Sequence, residues 1–205
     1  MKSICVIGSG ISGSTIANLL SKKYKVDVYE KAKGIGGRSS HRRYLNKLGF
    51  DHGLQYISPK TSKFKKFCSG LQKKRVLKKW QGPHNFDHSK VLENKKHTKL
   101  IGAKGNNAIS KYLLKNINCI FGYELFKIER IRKNWKLSFL NGDVKYYEIL
   151  VISIPFAQSK KLLKKFLPNF FKNKKVKMEA NITVMTVTNK IKNNFSSFLF
   201  NDEVI

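Results

Sequence analysis

Gly8-Ser9-Gly10-Ile11-Ser12-Gly13 has the spacing GxGxxG, and each glycine has a separate physical use. Gly8 permits a tight turn, Gly10 lets the backbone approach a pyrophosphate, and Gly13 lets a following helix pack closely on the preceding strand. A helix starting here presents unpaired N–H groups and the positive end of its dipole to an anion. Glu30 stands about twenty residues beyond Gly10, where a carboxylate accepts hydrogen bonds from an adenosine ribose. A glycine-rich turn with an incidental acid would not combine strand, helix and acid at this spacing. The expected binding set is Gly8, Gly10, Ile11, Ser12 and Gly13 on the pyrophosphate side, with Glu30 and its neighbour Lys31 on the ribose side.

A second loop follows. Gly34-Ile35-Gly36-Gly37-Arg38-Ser39-Ser40 carries one fixed cation among glycines, and residues 31–43 contain no acid. A guanidinium offers several donors in a planar fork that suits a buried phosphate. The competing reading is a flexible surface loop with one more positive charge.

The elements that must position these groups are partly legible. Ser3 to Ile7 is a short apolar run of the kind found in buried parallel strands, Ile11 to Leu20 has a helical apolar stripe, and Val26 to Glu30 returns to a strand pattern. Lys60 to Gln72 reads as a helix with Phe64, Phe67 and Leu71 on one side, while Trp80 to His97 is polar and irregular apart from Val91-Leu92. Asn106 or Asn107 is placed to cap a helix through Lys115. A strand at Asn118–Phe121 precedes a three-stranded meander, Phe126–Arg132, Trp135–Leu140 and Val144–Tyr147, with Asn141-Gly142 as its turn. Leu150 to Ile154 is another buried-strand run, ended by Pro155 and followed by an amphipathic helix to about Phe166; Ile182 to Thr188 reads as a further strand.

Gly34-Ile35-Gly36-Gly37-Arg38-Ser39 resembles the GxGGR(S/T) element after the second strand in the flavin amine oxidase superfamily. Asp51-His52-Gly53-Leu54-Gln55-Tyr56 resembles the DxGxQY segment of its renalase-like branch, and Leu100 to Ile109 the glycine-containing lead into a helix. Ile149 to Pro155 looks like the branch's strand returning to the FAD domain, and Met178 to Thr188 like its first long substrate-domain strand. The resemblance implies an α/β fold: a Rossmann-type FAD-binding domain with a parallel sheet and β-meander over 1–58 and 99–158, plus an incomplete α+β substrate domain over 59–98 and 159–205. It implies FAD as cofactor, with Gly37 and Arg38 against the pyrophosphate and Gln55 near the flavin. The implied activity is hydride transfer from a small reduced substrate, an amine or a reduced nicotinamide dinucleotide, to flavin, with O2 as acceptor. Members of the superfamily continue beyond the point matching Ile205, so the chain is expected to be a fragment or a natural truncation, which puts its activity alone in doubt. The alternative reading is a non-catalytic dinucleotide-binding fragment.

Other chemistry is sparse. The residues define no catalytic acid, base or nucleophile. His84 and His88 are four apart, but Pro83 and polar surroundings favour a loop over a metal site. Cys5, Cys68 and Cys119 are widely spaced and read as reduced, mostly buried thiols of a cytoplasmic protein. A chain of 205 residues with 41% hydrophobic content can bury a real core, and no apolar run approaches the roughly 20 residues of a membrane span. Forty-two Lys and Arg against twelve Asp and Glu give a formal charge of +30. Because the lysines are spread along the chain, they read as solvated faces; a basic nucleic-acid-binding protein is the remaining alternative, and no specific nucleic-acid partner is expected.

Overall fold

The computed structural model describes residues 2–44, 48–81, 84–86, 98–174, 176–187 and 197–199. In chain order the elements are β1 (Ser3–Ile7), α1 (Ile11–Leu20), β2 (Lys25–Glu30), β3 (His41–Tyr44), β4 (Leu48–Asp51), α2 (Ser62–Lys73), β5 (Leu77–Lys79), β6 (His84–Phe86), β7 (Leu100–Gly102), α3 (Ala108–Leu113), β8 (Asn118–Phe121), β9 (Leu125–Ile131), β10 (Asn134–Phe139), β11 (Val144–Tyr147), β12 (Ile149–Ile152), α4 (Phe156–Leu163), α5 (Pro168–Asn173) and β13 (Ser197–Leu199).

The central sheet has the order β12-β1-β2-β8 and all its pairs are parallel. Alternation along β1 explains why it lies in the middle. Ile4 and Val6 point to one face, where they pack with Ala17 of α1, Val26, Val28 and Leu114. Cys5 and Ile7 point to the other, against Tyr29, Leu137, Phe139 and Leu162. One face is therefore covered by helices and the other by the antiparallel meander β11-β10-β9 and α4. Each large apolar side chain fully buried here stabilises the layer arrangement by about 1.5–3 kcal/mol.

A polar chain running from the buried Tyr29–Tyr147 pair to the exposed Asn118 also ties sheet to meander. Tyr147 Oη donates to Asp27 Oδ2 at 2.8 Å, Tyr29 Oη lies 2.9 Å from Tyr147 Oη, and Asn118 Nδ2 donates to Asp27 Oδ1 at 2.7 Å. With the Tyr147 proton committed to the carboxylate, Tyr29 is the donor to Tyr147. Burial, together with the hydrogen bond donated to the Asp27 carboxylate, holds the Tyr147 phenol far above its ordinary range. A raised folded-state value means that this stabilisation is complete below about pH 10 and declines as the unfolded chain ionises above it. Tyr147→Phe strands the Tyr29 hydroxyl and one Asp27 oxygen. It is expected to cost about 1–3 kcal/mol, read as a lower urea midpoint with unchanged slope.

Several sequence expectations change, and one of them is that His84, expected in a loop, begins the short strand β6. Residues 31–43 are not all loop: Gly37–Ser39 forms one turn of 3-10 helix, and His41 begins a strand paired with β4. Asn107 does occupy the cap position of α3, but its side chain does not cap the helix; it is used elsewhere, as described below. The strand expected at Ile182–Thr188 is absent over the described residues 182–187, which have no regular structure. Its alternating pattern has no paired strand to supply backbone partners, and Ile182 and Val184 are 89% and 81% exposed. Thr188, His88 and the Val91-Leu92 pair lie outside the described residues.

Candidate dinucleotide site

The turn after β1 is shaped by its glycines. Gly8 has φ +100° and donates its N–H to Tyr29 O at 2.8 Å. At Gly13 an added Cβ would lie 2.0 Å from Gly8 O and 2.4 Å from Ser153 Oγ. The helix thus rests directly on the turn, and no side chain caps α1 at Gly10. The first N–H groups of α1 are oriented toward the end of the sheet, the arrangement that receives anions.

Glu30 ends β2 beneath this turn and is only 7% exposed. Its Oε2 accepts from both Ser9 N and Ser9 Oγ at 2.8 Å, and Oε1 accepts from Ala32 N at 2.9 Å. An ionised carboxylate has about four acceptor positions. Three are occupied, which leaves acceptor capacity on Oε1 of a residue that lines the cleft. Lys31 also lines the cleft and lies 3.7 Å from the Glu124 carboxylate.

The second glycine loop is docked on the first, backbone to backbone. Gly36 N donates to Ser9 O at 3.2 Å, and Gly10 and Gly36 form an isolated parallel bridge. Gly36 and Gly37 have φ +136° and +54°, and a Cβ on Gly37 would come 3.2 Å from Gly10 Cα. Only glycines permit this closeness and these dihedrals together. Arg38, exposed on the cleft, is anchored through its own carbonyl, which accepts from Leu54 N at 3.0 Å; a Cβ on Gly53 would lie 2.2 Å from that oxygen. The Asp51–Tyr56 segment is thereby hooked onto the Arg38 loop. Gln55 lines the cleft, whereas Tyr56 turns away and packs 5.7 Å from Trp80.

Gly8, Gly10, Ile11, Ser12, Glu30, Lys31, Gly37, Arg38 and Gln55 therefore all line one cleft of about 1100 Å3, and Gly13 supports it from behind. Its far wall comes from the meander and α4, including Tyr123, Phe126, Leu140 and Lys161. Among the described residues no group of three or more His, Cys, Asp or Glu could hold a metal ion, and no helix is long and apolar enough to cross a membrane.

Sequence reasoning missed two buried asparagines that hold these loops in place. Asn106 accepts from Gly102 N at 2.9 Å and donates to Leu54 O and Gln55 O at 2.6 and 3.1 Å, while its N–H donates to Asp51 Oδ1 at 2.8 Å. Asn107 Nδ2 donates to Ile35 O at 3.1 Å, and its Cβ fills the space beside Gly36. Adjacent asparagines before a helix suggest a cap; nothing local says that their partners lie some fifty and seventy residues away. Asn106→Leu strands the buried Gly102 N, at about 1–3 kcal/mol, and removes the donor to the part-buried Leu54 O and Gln55 O. The expected loss is about 2–4 kcal/mol, measured by urea unfolding, with faster amide exchange at Gly102.

Residues 6–71 match the family model described as NAD(P)-binding Rossmann-like domain. Among solved structures, the tetracycline destructase Tet(51) is similar with a TM-score of 0.54 at 15% identity, over 80% of this chain and 41% of that one. The present chain thus spans about two fifths of the length of that relative. The fold is a mixed α/β, Rossmann-like dinucleotide-binding fold built on a parallel sheet. Such a fold hosts many reactions, so the reaction has to be argued from the site.

Proposed function

We propose that this chain binds FAD and serves an oxidoreductase of the renalase-like amine oxidase type. The observation that carries the reading is the docking of the Gly36-Gly37-Arg38 loop onto the Gly10 turn, which gives one cleft edge two sets of backbone donors and a guanidinium. The glycine turn at the helix N-terminus receives a pyrophosphate, and the docked second loop adds a guanidinium suited to the same phosphates. Gly8, Gly10, Ile11 and Ser12 hold the pyrophosphate from the α1 side and Gly37-Arg38 from the other. Glu30 accepts from the adenosine ribose beside Lys31, and Gln55 faces the flavin end. The cleft exceeds the roughly 300–1,000 Å3 of most small-ligand sites, as an extended dinucleotide requires.

When bound, flavin supplies the redox chemistry itself, accepting a hydride from a small reduced amine or nicotinamide-type substrate and yielding the electrons to O2. The chain's own part is to bind, orient and electrostatically balance the cofactor; no residue is assigned as catalytic. Residues 1–58 and 99–158 form the cofactor unit in this reading, and 59–98 with 159–205 belong to the substrate side.

Anaerobic mixing of the flavin-loaded protein with reduced nicotinamide dinucleotides or primary amines tests the redox assignment. The expected result is bleaching of the flavin band by at least one donor, reversed by air. Bound flavin that none of these donors reduces would leave a dinucleotide-binding protein without this catalysis.

A further inference from the structure

The excess positive charge is distributed unevenly in the folded chain. Residues 52–81 and 98–117, which contain α2, β5, β7 and α3, hold thirteen lysines and arginines and no aspartate or glutamate. They share a core formed by Cys68, Leu71, Leu77, Leu100, Ile109 and Leu113. Some lysines elsewhere do have carboxylate neighbours, Lys127 and Lys136 at Glu129, Lys145 at Asp143 and Lys31 at Glu124, whereas residues 149–178 also hold lysines and no acid. The two stretches of the lobe contain no carboxylate of their own; Asp51 at their edge accepts from Asn106 N at 2.8 Å, and Asp87 and Glu93 lie outside the described residues.

The helix α2 adds an apolar feature to that charge. Its steps of about 100° per residue bring Phe64, Phe67, Cys68 and Leu71 onto one face. The C-terminal part of the face is covered, with Cys68 and Leu71 only 1% and 3% exposed, but the N-terminal part protrudes, with Phe64 37% and Phe67 39% exposed. The two rings stack on each other, with centroids 6.2 Å apart and planes at 19°. Lys63 and Lys65 lie about 100° to either side of Phe64.

We propose that the N-terminal half of α2, backed by this acid-free lobe, is a docking surface for an anionic phospholipid bilayer. Aromatic side chains flanked by lysines whose stems bury while their ammonium groups reach the headgroups are the arrangement of an interfacial helix. Each Lys or Arg near an anionic leaflet adds about 1 kcal/mol of attraction, so Lys63, Lys65 and Lys66 supply the attraction and the phenylalanine wedge fixes orientation. Stacked on each other, the two rings present one apolar wedge, whereas single-stranded nucleic acid is held by separate platforms on which successive bases stack. This surface is distinct from the dinucleotide cleft, and the proposal stands whether or not FAD binds there.

Vesicle co-sedimentation of the full chain tests it, using phosphatidylcholine vesicles with and without 30 mol% phosphatidylserine across a salt series. Partition onto the anionic vesicles is expected to exceed that onto neutral ones by at least a hundredfold at low salt. Phe64→Ser with Phe67→Ser should lower it about tenfold, and Lys63→Glu, Lys65→Glu and Lys66→Glu together at least a hundredfold. The same charge reversal at Lys22, Lys23 and Lys25, between α1 and the first residue of β2 and away from the α2 wedge in sequence, should lower it less than fivefold. Circular dichroism shows whether each variant is folded. Absence of binding to anionic vesicles overturns the proposal, as does equal loss from both sets of charge reversals. Phenylalanine-dependent binding of a single-stranded oligonucleotide that fully displaces the vesicles would also overturn it and assign the surface to nucleic acid.

Discussion

Gly13→Val is expected to yield a protein that neither packs α1 on its sheet nor retains a dinucleotide. The first carbon of any side chain at this position would sit 2.0 Å from Gly8 O and 2.4 Å from Ser153 Oγ, well inside van der Waals contact, and the first of these is main chain that cannot rotate away. Relief requires α1 to lift from β1, which opens the packing of Ala17 against Ile4 and Val6. The expected destabilisation exceeds about 4 kcal/mol, in the range that marks a backbone clash in a core. Gly70 supplies the contrast. It lies inside α2 with nothing within 4 Å of its potential Cβ, so Gly70→Ala should stabilise by about 0.5–1 kcal/mol through helix propensity. Urea unfolding of both variants checks the pair, and equal effects would refute the packing argument.

Glu30→Ala should weaken FAD binding by at least about a hundredfold while leaving the protein folded. Two losses combine. The ribose loses an ionised acceptor, and a hydrogen bond to a charged group is worth about 1.5–3 kcal/mol. Ser9 N, Ser9 Oγ and Ala32 N lose the carboxylate that arranges the glycine turn. Glu30→Gln separates the two, since one amide oxygen still accepts while the amide nitrogen faces donors on the other side; its affinity should fall between those of wild type and Glu30→Ala. Fluorescence titration of FAD gives the comparison. Unchanged affinity in Glu30→Ala would remove the ribose assignment.

The parts of this fold that could be read from the residues are those whose causes are local. β1, α1 and β2 follow from a strand run, a glycine turn and a helical stripe within thirty residues, and the meander follows from alternation and Asn141-Gly142, where Gly142 has φ +89°. Of the ten residues expected from these signals and, for Gly37, Arg38 and Gln55, from the family resemblance, nine line one cleft and the tenth, Gly13, lies directly behind it. What holds the site together is not local. The Gly36–Ser9 hydrogen bond joins two motifs 27 residues apart, Gly53 fits against Arg38 O, and Asn106 and Asn107 reach back to both loops. Glycine patterns show that a backbone must come close to something, without naming the neighbour. The 182–187 segment errs in the opposite sense: Ile182 and Val184 alternate as a strand does, but alternation specifies a face and cannot supply the paired strand. Charge is legible in the residues only as composition; that residues 52–81 and 98–117, which hold no acid, share one core is a property of the fold.

The central claim is that the paired glycine loops form a site for FAD. The most direct test is to incubate the purified protein with excess FAD, remove free ligand by desalting, and record flavin absorbance against protein concentration. The account predicts near-equimolar retained flavin in the wild-type protein and almost none in Glu30→Ala. A wild-type protein that is folded by circular dichroism yet retains no flavin would contradict it.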